Sequence, residues 1–177
     1  MIRLFLVGVF SFCCICPAFA QKNKWDYIQF DVSVPLRGNE NKGETDANGN
    51  TNNSWFLLDG LSAKLGYGIH YKKWVALGAH TGIDWKGNEK LVAVPVFANL
   101  RISPEVVKGT RMYIQAGYGK SFALGRGNLS GIYKKYSLGL ENNNDYSFFI
   151  EYGQHRLIYN NVRYVSSVSL GIALTTF

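Results

Sequence analysis

Apolar and polar residues alternate one for one along most of the chain beyond residue 60, the period of a β-strand with two chemically different faces. From Val75 to Trp85 one face reads Val75, Leu77, Ala79, Thr81, Ile83 and Trp85, while the other reads Ala76, Gly78, His80, Gly82 and Asp84. The same split runs through 61–71 and 111–122. It is clearest over 92–102, where Val92, Val94, Val96, Ala98, Leu100 and Ile102 oppose Ala93, Pro95, Phe97, Asn99 and Arg101. Further segments at 26–36, 131–141, 146–155 and 162–176 bring the predicted strands to eight. Short breakers such as Lys86-Gly87-Asn88 and Asn142-Asn143-Asn144-Asp145 separate them. No linker divides the chain, and the rhythm predicts one all-β domain.

Strands of this kind close in one of two ways. A soluble barrel keeps its large apolar side chains inside, and a transmembrane barrel turns them outward to lipid. Here the polar phase holds nine glycines (Gly66, Gly68, Gly78, Gly82, Gly117, Gly119, Gly139, Gly153 and Gly171), and residues this small suit the crowded inside of a narrow barrel. The same phase carries Asp31, Lys64, Asp84, Arg101, Arg111, Lys135, Glu151 and Arg163. These residues predict a lumen charge network with a positive bias, three acids against five bases. The apolar phase then meets lipid, with Trp25, Trp55, Tyr67, Tyr71, Trp74, Trp85, Tyr118, Tyr136, Tyr146, Tyr152 and Tyr164 expected at its ends as interface girdles. The pattern therefore predicts a closed antiparallel up-and-down transmembrane β-barrel of about eight strands, a form that pairs every backbone group within hydrocarbon.

With the amino terminus on the periplasmic side, strand order puts 37–54, 86–90, 124–129 and 156–161 outside and 72–73, 103–109 and 142–145 inside. The longest loop, 37–54, becomes the expected contact with an extracellular partner. Lys120 and Lys134 break the apolar phase near the outer ends of adjacent strands. An ammonium costs about 2–4 kcal/mol at the bilayer midplane and about 0–1 near the interface. Both should therefore sit at headgroup level, within reach of lipopolysaccharide phosphates.

The amino-terminal end reads differently. Arg3, the apolar stretch Leu4 to Cys16 and Ala18-Phe19-Ala20 make residues 1–20 a secretory signal, with 21–177 as the barrel domain. Cys13, Cys14 and Cys16 all lie in that signal, so the mature chain has no thiol for a disulfide, a metal or a nucleophilic attack. Its removal leaves 18 Lys+Arg against 12 Asp+Glu. In an exported chain that excess points to acidic lipid rather than to nucleic acid.

Candidate chemistry is sparse. Eight strands enclose a space that side chains can fill, which disfavours an open porin and leaves a narrow channel or a lipid A-modifying enzyme as alternatives. The enzyme needs a serine, a histidine and an acid. His155 and Glu151 share one face, but that face is the lumen, whereas such a site must open to lipid. His70 and His80 share the polar phase of neighbouring strands, one ligand short of a metal set. Neither a metal nor a cofactor is called for.

The stretch Val94-Pro95-Val96-Phe97-Ala98-Asn99-Leu100-Arg101, followed by Tyr113-Ile114-Gln115-Ala116-Gly117-Tyr118-Gly119, resembles the small outer-membrane β-barrel domain families of Gram-negative bacteria. The resemblance implies an outer-membrane location, contact with outer-membrane lipid and lipopolysaccharide, and a non-enzymatic structural or surface-interaction role through extracellular loops. It carries over no catalytic residue. Phe177 looks like the terminal aromatic read by the outer-membrane assembly machinery. Val168, Leu170, Ile172 and Leu174 set the apolar phase on even numbers, so Phe177 joins it only through a bulge at Thr175-Thr176.

Overall fold

The computed structural model describes residues 25–39, 42–43, 53–124, 130–142, 145–159 and 161–177, giving the backbone alone at 158, 159 and 161–163. The expected signal, most of the 37–54 loop and the Arg163 side chain lie outside the described residues. Within them run β1 (Asp26–Gly38), β2 (Phe56–Leu58), β3 (Gly60–Tyr71), β4 (Val75–Lys86), β5 (Leu91–Ile102), β6 (Glu105–Val107), β7 (Thr110–Leu124), β8 (Ser130–Asn142), β9 (Tyr146–Tyr159) and β10 (Asn161–Thr176).

The pairing is antiparallel throughout, and β10 returns to β1 from Ile28↔Thr176 to Leu36↔Val168. The sheet thus closes into an eight-stranded wall of β1, β3, β4, β5, β7, β8, β9 and β10, with β2 and β6 as short additions. Register partners lead once around it from Asp26 through Ile69, Leu77, Leu100, Ala116, Tyr136, Tyr152 and Val168 to Leu36, ten residues along the starting strand. Ten residues of about 3.3 Å against eight spacings of about 4.8 Å tilt the strands about 40° from the barrel axis. A twelve-residue strand such as β4 then rises about 30 Å, the thickness of a bilayer's hydrocarbon. The β3–β4 connection, residues 72–74, turns on Lys72 and Lys73, both with left-handed φ (49° and 60°), as a primed hairpin turn requires, and the Trp74 N–H donates to the Tyr71 carbonyl at 2.9 Å.

Alternation sorts the side chains. Leu61, Leu65, Leu77, Ile83, Leu100, Ile114, Leu138, Ile150, Leu170 and Ile172 stand exposed around the outside, while Gln29, Asp31, Lys64, Asn99, Arg101, Gln115 and Lys135 are buried inside. This is a soluble protein turned inside out: a continuous apolar belt far beyond the few hundred Å² that soluble monomers expose, around a polar core. The interior packs glycine against ring. An added Cβ would lie 2.5 Å from the Tyr113 ring at Gly139, 2.5 Å from the Phe149 ring at Gly171 and 2.5 Å from the Tyr27 hydroxyl at Gly78. Each missing side chain is the space its neighbour fills.

Three expectations need correction. Tyr118, Tyr136 and Tyr152 stand mid-strand on adjacent strands, not in a girdle: the first two lie well inside β7 and β8, and β9 continues past the 146–155 segment to Tyr159. Trp25 and Tyr71 do stack at the end that carries the amino terminus, with ring centroids 6.3 Å apart. Phe177 faces the lumen rather than lipid: Thr175 and Thr176 hold regular register with Gln29 and Ile28, no bulge shifts the phase, and the ring packs against Tyr27 and His70. Finally, two short strands of three residues each were not expected: β6 lies inside the 103–109 connection and β2 just past the 37–54 loop.

Candidate functional site: a filled lumen and a cationic patch on the wall

Among the described residues the lumen buries four carboxylates, Asp31, Asp84, Glu141 and Glu151, and four cations, Lys64, Lys86, Lys135 and Arg101. Arg111 is only half-buried and the Arg163 side chain lies outside the described residues, whereas Glu141 and Lys86 are additions to the residues expected from the sequence. Both lie at strand ends beside asparagine- and glycine-containing breakers: Lys86 had been read as part of one, and Glu141 is the last residue of the predicted 131–141 strand.

The central network joins strands across the barrel. Lys135 Nζ lies 3.0 Å from Asp31 Oδ2 and 2.9 Å from Glu151 Oε2. Lys64 pairs with the other Glu151 oxygen and lies 3.4 Å from Asp84 Oδ1. Asp84 Oδ2 is 3.0 Å from His155 Nε2, and His155 Nδ1 is 2.8 Å from Ser121 Oγ. A second network lies nearer the end that carries Phe177. There Arg101 pairs with Glu141, donates to Thr175 Oγ1 at 3.1 Å, and sits 4.0 Å from the centre of the Tyr113 ring. Gln29 connects the two, donating to Asp31 Oδ1 at 2.7 Å and accepting from Arg101 Nη1 at 3.4 Å, and it also accepts from Gln115 Nε2 at 2.9 Å. Beside these pairs Phe177, Tyr27, His80, Phe97, Tyr133 and His155 form one column of rings, each 4.9–6.3 Å from the next. Charge pairs and rings together fill the lumen as a plug.

Of the residues singled out from the sequence, Asp31, Lys64, Asp84, Lys135 and Glu151 belong to the central network and Arg101 to the second. Arg111 stands apart. It is half-buried at the barrel end that carries Phe177, in register with Glu105 and Glu141, and joins neither network. His70 packs edge-on to Phe177 at 4.9 Å, while His80 sits deeper beside Tyr27 and Phe97. The acid beside His155 is Asp84 from across the wall, not Glu151. Four residues along one strand span about 13 Å, too far for His155 and Glu151 to meet, and two lysines occupy Glu151. Ser121, His155 and Asp84 thus stand in the order of a hydrolytic relay, a juxtaposition that strand spacing alone cannot disclose. Ser121 is 0% exposed, however, so no substrate carbonyl reaches its Oγ while the plug is in place.

On the outside, Lys120 and Lys134 are diagonal neighbours on β7 and β8, where Lys120 faces Ile132 and Tyr118 faces Lys134. β9 continues the polar ground with Gln154 opposite Lys134 and Arg156 opposite Ile132. Gln154 Nε2 donates to the Tyr152 hydroxyl and to Ser166 Oγ, each at 3.2 Å. The outward positions of β7, β8 and β9 carry no carboxylate among the described residues. Arg156 escaped the sequence analysis because the 146–155 segment was read to end one residue before it, whereas β9 runs to Tyr159.

No family model matches the chain, and no curated protein matches it. Among solved structures, neisserial surface protein A is similar over 84% of this chain and 96% of its own, at 12% identity and a TM-score of 0.51. A de novo designed transmembrane β-barrel is similar over 88% of this chain and 98% of its own, at 16% identity and a TM-score of 0.43. Ail, the attachment invasion locus protein of Yersinia pestis, is similar over 88% and 100%, at 12% identity and a TM-score of 0.42. The fold is that of the small eight-stranded outer-membrane β-barrels.

Proposed function

We propose, from a fold shared with small outer-membrane barrels, that this chain is exported by its first 20 residues and resides in the outer membrane of a Gram-negative envelope. There it serves as a rigid, non-enzymatic platform whose outer loops meet an extracellular partner. One observation carries this reading: the outside is apolar around its whole circumference while the inside is filled by mutually paired charges. A plugged lumen speaks against a channel, and a fully buried Ser121 speaks against a lipid-modifying hydrolase. Lys120 and Lys134, joined by Arg156, contact lipopolysaccharide phosphates, and the outer-membrane assembly machinery inserts the barrel.

The test is fractionation of the full chain expressed in a Gram-negative host, with an epitope placed in the 40–52 connection. The expected result is recovery with the outer membrane, heat-modifiable gel migration and labelling of the epitope on intact cells. Recovery as a soluble periplasmic monomer overturns the location. Labelling only after the cells are broken overturns the surface role.

A further inference from the structure

The wall is not closed over its full height. β1 runs on to Gly38, but its ladder with β10 ends at Leu36↔Val168; beyond that point β1 pairs with β2, through Arg37↔Leu57 and Gly38↔Phe56. β10 continues to Asn161 against β9 alone. Among the described residues, then, the seam between the first and last strands of the wall is unzipped at its outer end. A cavity of about 300 Å³ occupies the gap. It passes through the wall, because Leu36, Tyr152 and Val168 line it from the lipid-facing phase and Lys86 and Val165 line it from the lumen phase.

Lys86 is the exception in the lumen. The other three buried cations are paired, yet the Lys86 side chain, on a residue 2% exposed, has neither an ion pair nor a hydrogen bond among the described residues. A bare ammonium is among the most costly groups to bury, so a cavity walled by one favours an anion from outside. Ser166 Oγ and the Tyr152 hydroxyl, 3.2 Å apart, offer hydrogen bonds at the outer lip, and Leu36 and Val168 give that lip an apolar sill. Asp59 and Glu89 also line the cavity. Asp59 Oδ1 accepts the Asn88 N–H at 2.9 Å, and Arg37 Nη1 donates to Asn88 Oδ1 at 2.7 Å, so Asp59 and Arg37 hold the 87–90 turn beside the opening. The mixed rim disfavours a polyanion and suits one compact headgroup.

We propose that this seam cleft holds the anionic phosphate headgroup of an outer-leaflet lipid, with the phosphate against Lys86 Nζ and the acyl chains descending over Leu36 and Val168. The proposal rests on the membrane placement above. Its test therefore uses the full chain refolded into phosphatidylcholine nanodiscs and first checked for heat-modifiable migration, so that failure to insert is read separately from failure to bind. The discs carry a minor fraction of either phosphatidate or uncharged diacylglycerol, and lipid retained on the released barrel is read by native mass spectrometry. One phosphatidate and no diacylglycerol should stay bound. Lys86→Met should lower retention about tenfold, the loss of one charge-assisted contact, and Lys86→Arg should keep it. Ser166→Phe, which fills the exposed lip without touching the lumen, should lower retention equally and serves if Lys86→Met does not fold. Equal retention of the two lipids overturns the proposal, as does undiminished retention in Lys86→Met or, failing that, in Ser166→Phe. Inorganic phosphate bound as tightly as phosphatidate overturns the assignment to a lipid.

Discussion

Lys135→Met removes an ammonium with no exposed surface that holds two carboxylates, Asp31 at 3.0 Å and Glu151 at 2.9 Å. Methionine keeps most of the volume, so the perturbation is electrostatic. Glu151 retains Lys64, whereas Asp31 retains only the Gln29 amide at 2.7 Å. The uncompensated charge therefore falls on Asp31. Breaking one partner of a buried pair costs about 3–5 kcal/mol, while replacing both with neutral groups is often close to neutral. Lys135→Met should lose about that much stability, and the double variant Asp31→Asn/Lys135→Met should recover most of it. Equilibrium urea unfolding in lipid vesicles, followed by tryptophan fluorescence for all four members of the cycle, measures both quantities. A single-variant loss no larger than a surface change, about 0.5 kcal/mol, would refute the reasoning. So would simple addition of the two single effects.

Further outcomes follow from the same lumen. Gly139→Ala places a Cβ 2.5 Å from the Tyr113 ring and should destabilise by about 1–3 kcal/mol, measured by the same unfolding assay. Purified barrel in planar bilayers should show little or no steady conductance, and large anion-selective openings would favour the channel alternative. His155→Ala should leave the lipid A mass spectrum of the host unchanged; a gained or lost acyl chain would show that Ser121, His155 and Asp84 do chemistry.

The wall was legible in the chain because a two-residue period at Val75–Trp85 or Val92–Ile102 specifies both the strand and the face it shows to lipid. The inversion was legible too, since glycine and charge shared one phase. What the sequence withheld is the partner of each lumen residue. That depends on the ten-residue stagger and on the small radius of the barrel, which together bring Asp84 to His155 and Arg101 to Glu141. Neither quantity is encoded in any one segment. Strand ends were the other weak point: alternation fades into asparagine and glycine there, so Lys86 and Arg156 were read as connections and Glu141, the last residue of its predicted strand, went uncounted. Phe177 shows the reverse case, in which regular alternation was the better guide than the expectation of a terminal signal.

The ion pairs of the lumen also bear on the order in which this barrel is assembled. Lys135 and Asp31 are 104 positions apart, Lys64 and Glu151 are 87 apart, and Arg101 and Glu141 are 40 apart. None of these partners meets while the hairpins are separate, and a lone hairpin pushed into hydrocarbon carries its charges there uncompensated. Piecemeal insertion is thus penalised strand by strand, whereas a sheet that curls with its inner face still wet can trade water for counter-charge in one step. Joining β10 to β1 is the event that completes that exchange, so entry into the membrane and closure of the barrel should occur together, late and cooperatively.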